Sequence, residues 1–328
     1  MPKPLPADHV LRNRYRLRET IGHGGMGAIY LAEDERLTGR LCALKEIEHD
    51  PSLPAATTKQ AREQFYREAS VLARLDHPNL PKVSDFFSAN ARDYLVMDYV
   101  AGKDLRALME EARAHNETLP VEQVLGWFGQ LIDALKYMHS QDPPIVHRDI
   151  KPSNIKVTPI GVVKLVDFGL VKLLVPDEMT ITVVQGRGTA LYTPLEQYGA
   201  DTGHTDARSD IYSLSATLYH LLTNSAPPEA KQRFLSPEAL VPPRRLNPGI
   251  PASVEHALLW GMALHPDDRP ANIEAFREAL FRGEEIPVLQ TKDLSWRSLS
   301  RDLQAWDGIL FGAIGLLLLI AIYRALAP

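Results

Sequence analysis

The stretch "IVHRDIKPSNI", Ile145–Ile155, decides how the rest of the chain is read. Short apolar ends enclose a polar run in which Asp149 precedes Asn154 by five positions. A solvated loop between two strands would explain such a run. So would a site, because a carboxylate that can accept a proton and an amide oxygen that suits a hard cation are here held on one turn. The neighbours of the stretch choose between the two readings.

Downstream, "VDFG" supplies a second carboxylate, Asp167, followed by Phe168 and Gly169. Upstream, "IGHGGMGAIY" places Gly22, Gly24 and Gly27 where backbone N–H groups can approach phosphate oxygens. The glycines alone carry little, since a glycine-rich hairpin turn has the same appearance. A dinucleotide-binding fingerprint would open a helix, but "AIYLA" after Gly27 has strand character. A glycine hairpin between strands then calls for a lysine on the next strand, and "CALK" provides Lys45. Lys45 needs an acidic partner to hold its geometry. Glu68, beside the apolar positions Phe65, Ala69 and Leu72 of a helical stretch, is the first choice and Glu63 the second.

Taken in order, the glycine hairpin, the "CALK" lysine, the H-R-D-x-x-x-x-N loop and "DFG" closely resemble a eukaryotic-like serine/threonine protein kinase of the kind bacteria carry as membrane-bound enzymes, over about Tyr15 to Phe281. The resemblance implies an α+β, two-lobed protein-kinase fold, a small antiparallel-sheet lobe and a large helical lobe, with ATP and Mg²⁺ or Mn²⁺ in the cleft between them. It implies that Asp149 accepts or orients the substrate hydroxyl proton, that Lys151 neutralises the transferred phosphoryl group, and that Asn154 and Asp167 hold the metal ions. Lys45 would grip the α- and β-phosphates. The nucleotide would be lined by Ile21, Gly22, His23, Gly24, Gly25, Met26, Gly27, Ile29, Ala43 and Lys45, with Met97 at the back of the pocket and Asp98 to Val100 as the hinge. Thr189 resembles the threonine that bridges Asp149 and Lys151. Arg148 resembles an arginine that binds an activation-loop phosphate, with Thr180 and Thr182 as acceptors. Glu196 of "PLE" would pair with Arg269, although Leu195 stands where the family has proline. Asp210 would anchor the catalytic loop from below, and His147 is read as a packed structural residue.

The organisation follows the same division. Residues 1–14 form a Pro-rich tail, and 15–100 alternate like antiparallel strands around the helical stretch "TKQAREQFYREASVLARL". Residues 101–282 are mainly helical. "VEQVLGWFGQLIDALKYMH" sets Val124, Phe128, Leu131, Leu135 and Met138 on one stripe, and "SDIYSLSATLYHLLT" is apolar enough for a central buried helix. Residues 283–308 read as a juxtamembrane linker. Residues 309–326, beginning "ILFGAIGLLLLIAIY", lack a polar face and are expected to form a transmembrane helix, with Trp306 and Tyr323 at its borders.

Composition narrows the function classes. The 328 residues are 45% hydrophobic and 23% charged, with a formal net charge of −5, so nucleic acid is not an expected partner. One cysteine, Cys42, excludes an intrachain disulfide framework and fits a cytoplasmic location for the folded part. The expectation is a single-pass cell-membrane protein with a cytoplasmic kinase domain acting on serine and threonine of other proteins and of itself, and compatible with a homodimer that phosphorylates in trans. A catalytically silent scaffold is the competing class; it would not require Lys45, Glu68, Asp149, Asn154 and Asp167 together.

Overall fold

Alternation of apolar and polar side chains in the first hundred residues produces strands, and a computed structural model of the chain shows how they assemble. It describes residues 4–24, 27–48, 55–90, 92–167, 190–198 and 205–282. Strands β1 (Val10–Leu11), β2 (Tyr15–Gly24), β3 (Gly27–Asp34), β4 (Leu41–Glu48), β5 (Val83–Ala89) and β6 (Arg92–Asp98) form an antiparallel sheet in the order β1-β2-β3-β4-β6-β5. Helix α1 (Ala55–Leu72) links β4 to β5.

The period of two gives this sheet two chemically distinct faces. Ala43, Ile47, Leu95 and Met97 join the main core, where Phe65, Ala69, Leu72 and Leu75 of the expected helical stripe are buried with them. Tyr30, Ala32, Cys42, Leu44, Tyr94 and Val96 face the other way. With Tyr15, Leu17 and Phe87 they build a second core. Lys45 and Glu46, adjacent in β4, therefore lie on opposite faces.

The second half folds around helices. Strand β7 (Lys103–Asp104) runs directly into α2 (Leu105–Ala114), whose first turn is capped by Asp104 Oδ1 accepting from the Ala107 N–H at 2.8 Å. In α3 (Val121–His139) the stripe Val124, Phe128, Leu131, Leu135 and Met138 is fully buried. The hairpin of β8 (Ile155–Val157) and β9 (Val163–Leu165) comes next. Helix α4 (Ala207–Thr223) opens on the Asp206 cap, ends at left-handed Asn224 and is buried from Ser209 to Tyr219, which makes it the expected central helix. Two short helices, α5 (Ala230–Leu235) and α6 (Pro243–Leu246), precede α7 (Ala252–Gly261) and α8 (Ile273–Arg282). Helix α7 approaches α4 so closely that a Cβ at Gly261 would lie 2.0 Å from Ser215 Oγ.

All described residues fall within one compact unit, Met1–Ile286. Among them no helix is long and apolar enough to cross a membrane. The linker and the expected transmembrane helix lie outside the described residues.

Candidate active site

A β-hairpin and a strand carry the decisive side chains to one place. The β8–β9 hairpin pairs Ile155 with Leu165, so Asn154 just before β8 and Asp167 just after β9 emerge at the same end. The Val166 N–H donates to the Asn154 carbonyl at 2.8 Å and closes that end. From the other lobe, β4 brings Lys45, whose Nζ pairs with the Asp167 carboxylate. Burial alone would raise the Asp167 carboxyl. The charge of Lys45, its hydrogen bond and the charge of Lys151 prevail and hold it below the usual carboxylate range.

Asp149 is organised by its own loop. Its Oδ2 accepts from Lys151 Nζ at 2.8 Å and from Asn154 Nδ2 at 2.9 Å, and its carbonyl accepts from Asn154 Nδ2 at 2.8 Å. Its Oδ1 is buried and, among the described residues, has no donor. A buried carboxylate oxygen without a donor is costly, and it leaves Asp149 with an open acceptor. Asn154 spends its NH₂ on Asp149, which turns its Oδ1 away as an acceptor. That oxygen and the Asp167 carboxylate form a hard oxygen set that suits Mg²⁺.

The loop itself is fixed from beneath. Asp210, fully buried at the start of α4, accepts the His147 N–H on Oδ2 and the Arg148 N–H on Oδ1, both at 2.8 Å, and His139 Nε2 on Oδ2 at 2.9 Å. Burial would raise its carboxyl, but these donors overrule it and keep it ionised. Nothing in the sequence singled out His139, which sits in the last turn of an amphipathic helix. Arg148 adopts a left-handed backbone, φ 66°. Its Nε and Nη1 are buried without acceptors among the described residues, and burial pulls its guanidinium below the usual arginine range against the opposing charges of Asp210 and Glu68.

Glu68 is 4% exposed and accepts from Gln64 Nε2 at 2.9 Å. The second choice, Glu63, is out on the helix surface beside Lys59 at 3.9 Å. Around the expected nucleotide, Ala43, Met97 and Val100 are buried, Ile21 is exposed, and Ile29 is packed against the main core. Gly22, Gly24 and Gly27 lie at the β2–β3 hairpin, where Gly24 pairs with Gly27. Asp98 begins the expected hinge, its Oδ2 accepting the Lys82 N–H at 3.2 Å. Nothing is described of the His23 side chain. Gly25, Met26, Phe168, Gly169, Thr180, Thr182 and Thr189 lie outside the described residues.

Lower in the helical lobe, the expected pair is present: Arg269 Nη1 and Nη2 meet Glu196 at 2.6 and 3.0 Å, with the arginine fully buried. A cavity of about 620 Å³ opens beside it, lined by Leu195, Arg208 and His265. Its charges are already satisfied, since Arg208 meets Asp206 and Asp267 at 2.7 and 2.6 Å, so the cleft at Lys45 remains the site.

Comparison with known proteins points the same way. Residues 15–239 match the protein kinase domain family. A probable serine/threonine-protein kinase of Clostridium acetobutylicum is 34% identical over 277 residues, 83% of this chain and 40% of its own length. The tyrosine-protein kinase MasK of Myxococcus xanthus is 33% identical over 81% of this chain and 42% of its own. A solved structure titled PpkA-294 apo form superposes with a TM-score of 0.67 at 28% identity, covering 84% of this chain and 99% of that one. The chain spans about two fifths of the length of the curated relatives it matches.

Proposed function

The chain belongs to the protein kinase family, and from that premise we propose that it transfers the γ-phosphate of ATP to serine and threonine hydroxyls of proteins. The observation that carries the proposal is the convergence of Lys45, Asp149, Asn154 and Asp167 from two lobes on one place. Phosphoryl transfer requires little covalent help from protein, so positioning and charge neutralisation at that place supply the rate.

In this reading the substrate hydroxyl donates to Asp149 Oδ1, the acceptor its own loop leaves open. The hydroxyl oxygen bonds to the γ-phosphorus as the bond to the β-phosphate oxygen breaks; the proton passes to Asp149 and ADP leaves. Lys151, 2.8 Å from Asp149, offsets charge on the transferred group, and Lys45 holds the remaining phosphates. Mg²⁺ bound by Asn154 and Asp167 would supply further neutralisation of the phosphate oxygens. Gly22, Gly24 and Gly27 cover the phosphates from above, and Asp210 keeps the catalytic loop in register.

Regulation and location complete the proposal. The unpartnered donors of Arg148 suit a phosphate on the segment holding Thr180 and Thr182, which would order that segment. Residues 309–326 would tether the kinase domain to the cytoplasmic face of the cell membrane, where copies can meet and phosphorylate in trans. The test is incubation of the full chain with Mg²⁺, labelled ATP and a generic basic protein, followed by phosphoamino-acid analysis. Phosphoserine and phosphothreonine are expected. Label found only on tyrosine, or none above the level of Asp149→Asn, would overturn the proposal.

A further inference from the structure

The residues ahead of Tyr15 precede the matched kinase-domain region, yet they are built into its sheet. Val10 and Leu11 pair with Arg16 and Tyr15. The Asp8 N–H donates to the Leu17 carbonyl at 2.8 Å, and the Leu17 N–H to the His9 carbonyl at 3.0 Å. Leu11 is buried in the second core, and Leu5 packs against it.

One contact goes deeper. The Leu5 N–H donates to Tyr30 Oη at 3.0 Å, and Tyr30 Oη donates to Glu46 Oε2 at 3.1 Å. The same oxygen accepts from Arg92 Nη1 at 3.2 Å and lies 3.5 Å from Tyr94 Oη. Tyr30 and Glu46 are 1% and 3% exposed, so this carboxylate sits in an otherwise apolar face and depends on its donors. Glu46 is the immediate neighbour of Lys45 and projects from the opposite side of β4. Its backbone also touches the glycine hairpin: Gly27 has φ +147°, and a Cβ there would come within 2.3 Å of the Glu46 carbonyl oxygen. Through one residue, the start of the chain thus meets both the hairpin and the strand that carries Lys45.

We propose that residues 4–11 act as an outer clamp on the nucleotide-binding lobe, with Tyr30 and Glu46 as positioning residues that transmit the clamp to Gly27 and Lys45. The inference rests on reading that lobe as the ATP site. Tyr30 is the joint, because its hydroxyl accepts from the segment and donates to Glu46.

Tyr30→Phe keeps the packed ring and removes only the joint. The KM for ATP should rise about two- to fivefold, the upper figure being one whole buried hydrogen bond, with kcat within about twofold. Deleting residues 2–9 should produce the same rise, and the combined variant should be no worse than either alone, since both break one chain of contacts. Amide exchange over residues 27–34 and 41–48 should quicken by a similar factor in both variants. The proposal is overturned if either variant, or the deletion alone where Tyr30→Phe does not fold, lowers the melting temperature but leaves both the ATP KM and exchange over 41–48 unchanged. A parent chain that binds no nucleotide would sink the kinase reading instead, and exchange over 41–48 would then decide the clamp.

Discussion

Replacing Asp210 by asparagine should loosen the catalytic loop by an amount that follows from its hydrogen bonds. The two backbone donors use different oxygens: the His147 N–H reaches Oδ2 and the Arg148 N–H reaches Oδ1. Asparagine has one oxygen, so in either orientation its NH₂ confronts a buried N–H. Leaving that donor without an acceptor costs about 1–3 kcal/mol. The surviving bonds, including that from His139 Nε2, lose the charge that strengthened them, roughly another 1 kcal/mol together. A total near 3 kcal/mol should lower the thermal midpoint by about 6–12 °C in a domain of this size. Turnover measured well below the midpoint should fall by at least about tenfold, because Asp149 directly follows the displaced backbone of His147 and Arg148. His139→Leu, which removes one of the three donors, should cost only about 1 kcal/mol. Calorimetry and steady-state turnover on both variants provide the assay. An Asp210→Asn protein melting within about 2 °C of the parent, with turnover within twofold, would refute the claim that this carboxylate holds the loop.

Arg269→Met should leave Glu196 buried without its cation and strip donors from the carbonyls of Ala263, Leu264 and Arg208. Urea unfolding should show a loss of about 3–5 kcal/mol, and an unchanged midpoint would mean the pair is not a strut. Acid should also weaken the fold through His220. Burial, with a smaller push from Arg113, lowers its pKa to about 4, and its Nδ1 lies 2.7 Å from Tyr192 Oη. The folded state prefers the neutral ring, so the unfolded chain takes up the proton first. This contribution is intact above about pH 6.5 and lost as pH falls towards about 4, by roughly 2–3 kcal/mol after allowance for partial exposure. His220→Gln should flatten that part of the stability profile, as urea midpoints between pH 7 and pH 4 will report.

Most of the fold was legible because its signals are local. The stripe Val124, Phe128, Leu131, Leu135 and Met138 records which side of α3 faces the core, and the structure buries those positions. Helix α1 begins at Ala55, three residues before the periodic stretch, where no capping residue marked the start. That Lys45, Asp149, Asn154 and Asp167 come together was legible because phosphate and metal chemistry restrict residue type and spacing together. Some partnerships across the fold were legible too, Glu196 with Arg269 and Asp210 with the catalytic loop among them, but others were not. Glu68 was chosen as the partner of Lys45 from its helical face alone, and the structure buries it on that face, where it also accepts from Gln64. Nothing in the sequence marks Glu46; only tertiary packing shows that its outward face is a second buried core. Leu5 and His139 act through a backbone N–H and a single ring nitrogen, contacts that leave no periodic trace.

The central claim is that Asp149 serves the chemical step at a site assembled by Lys45, Asn154 and Asp167. Single-turnover transfer from Mg²⁺-ATP to a basic protein, in the parent and in Asp149→Asn, tests it directly. ATP affinity should stay within about threefold while the transfer rate falls by roughly a hundredfold to ten-thousandfold. Equal transfer rates in the two proteins would contradict the account.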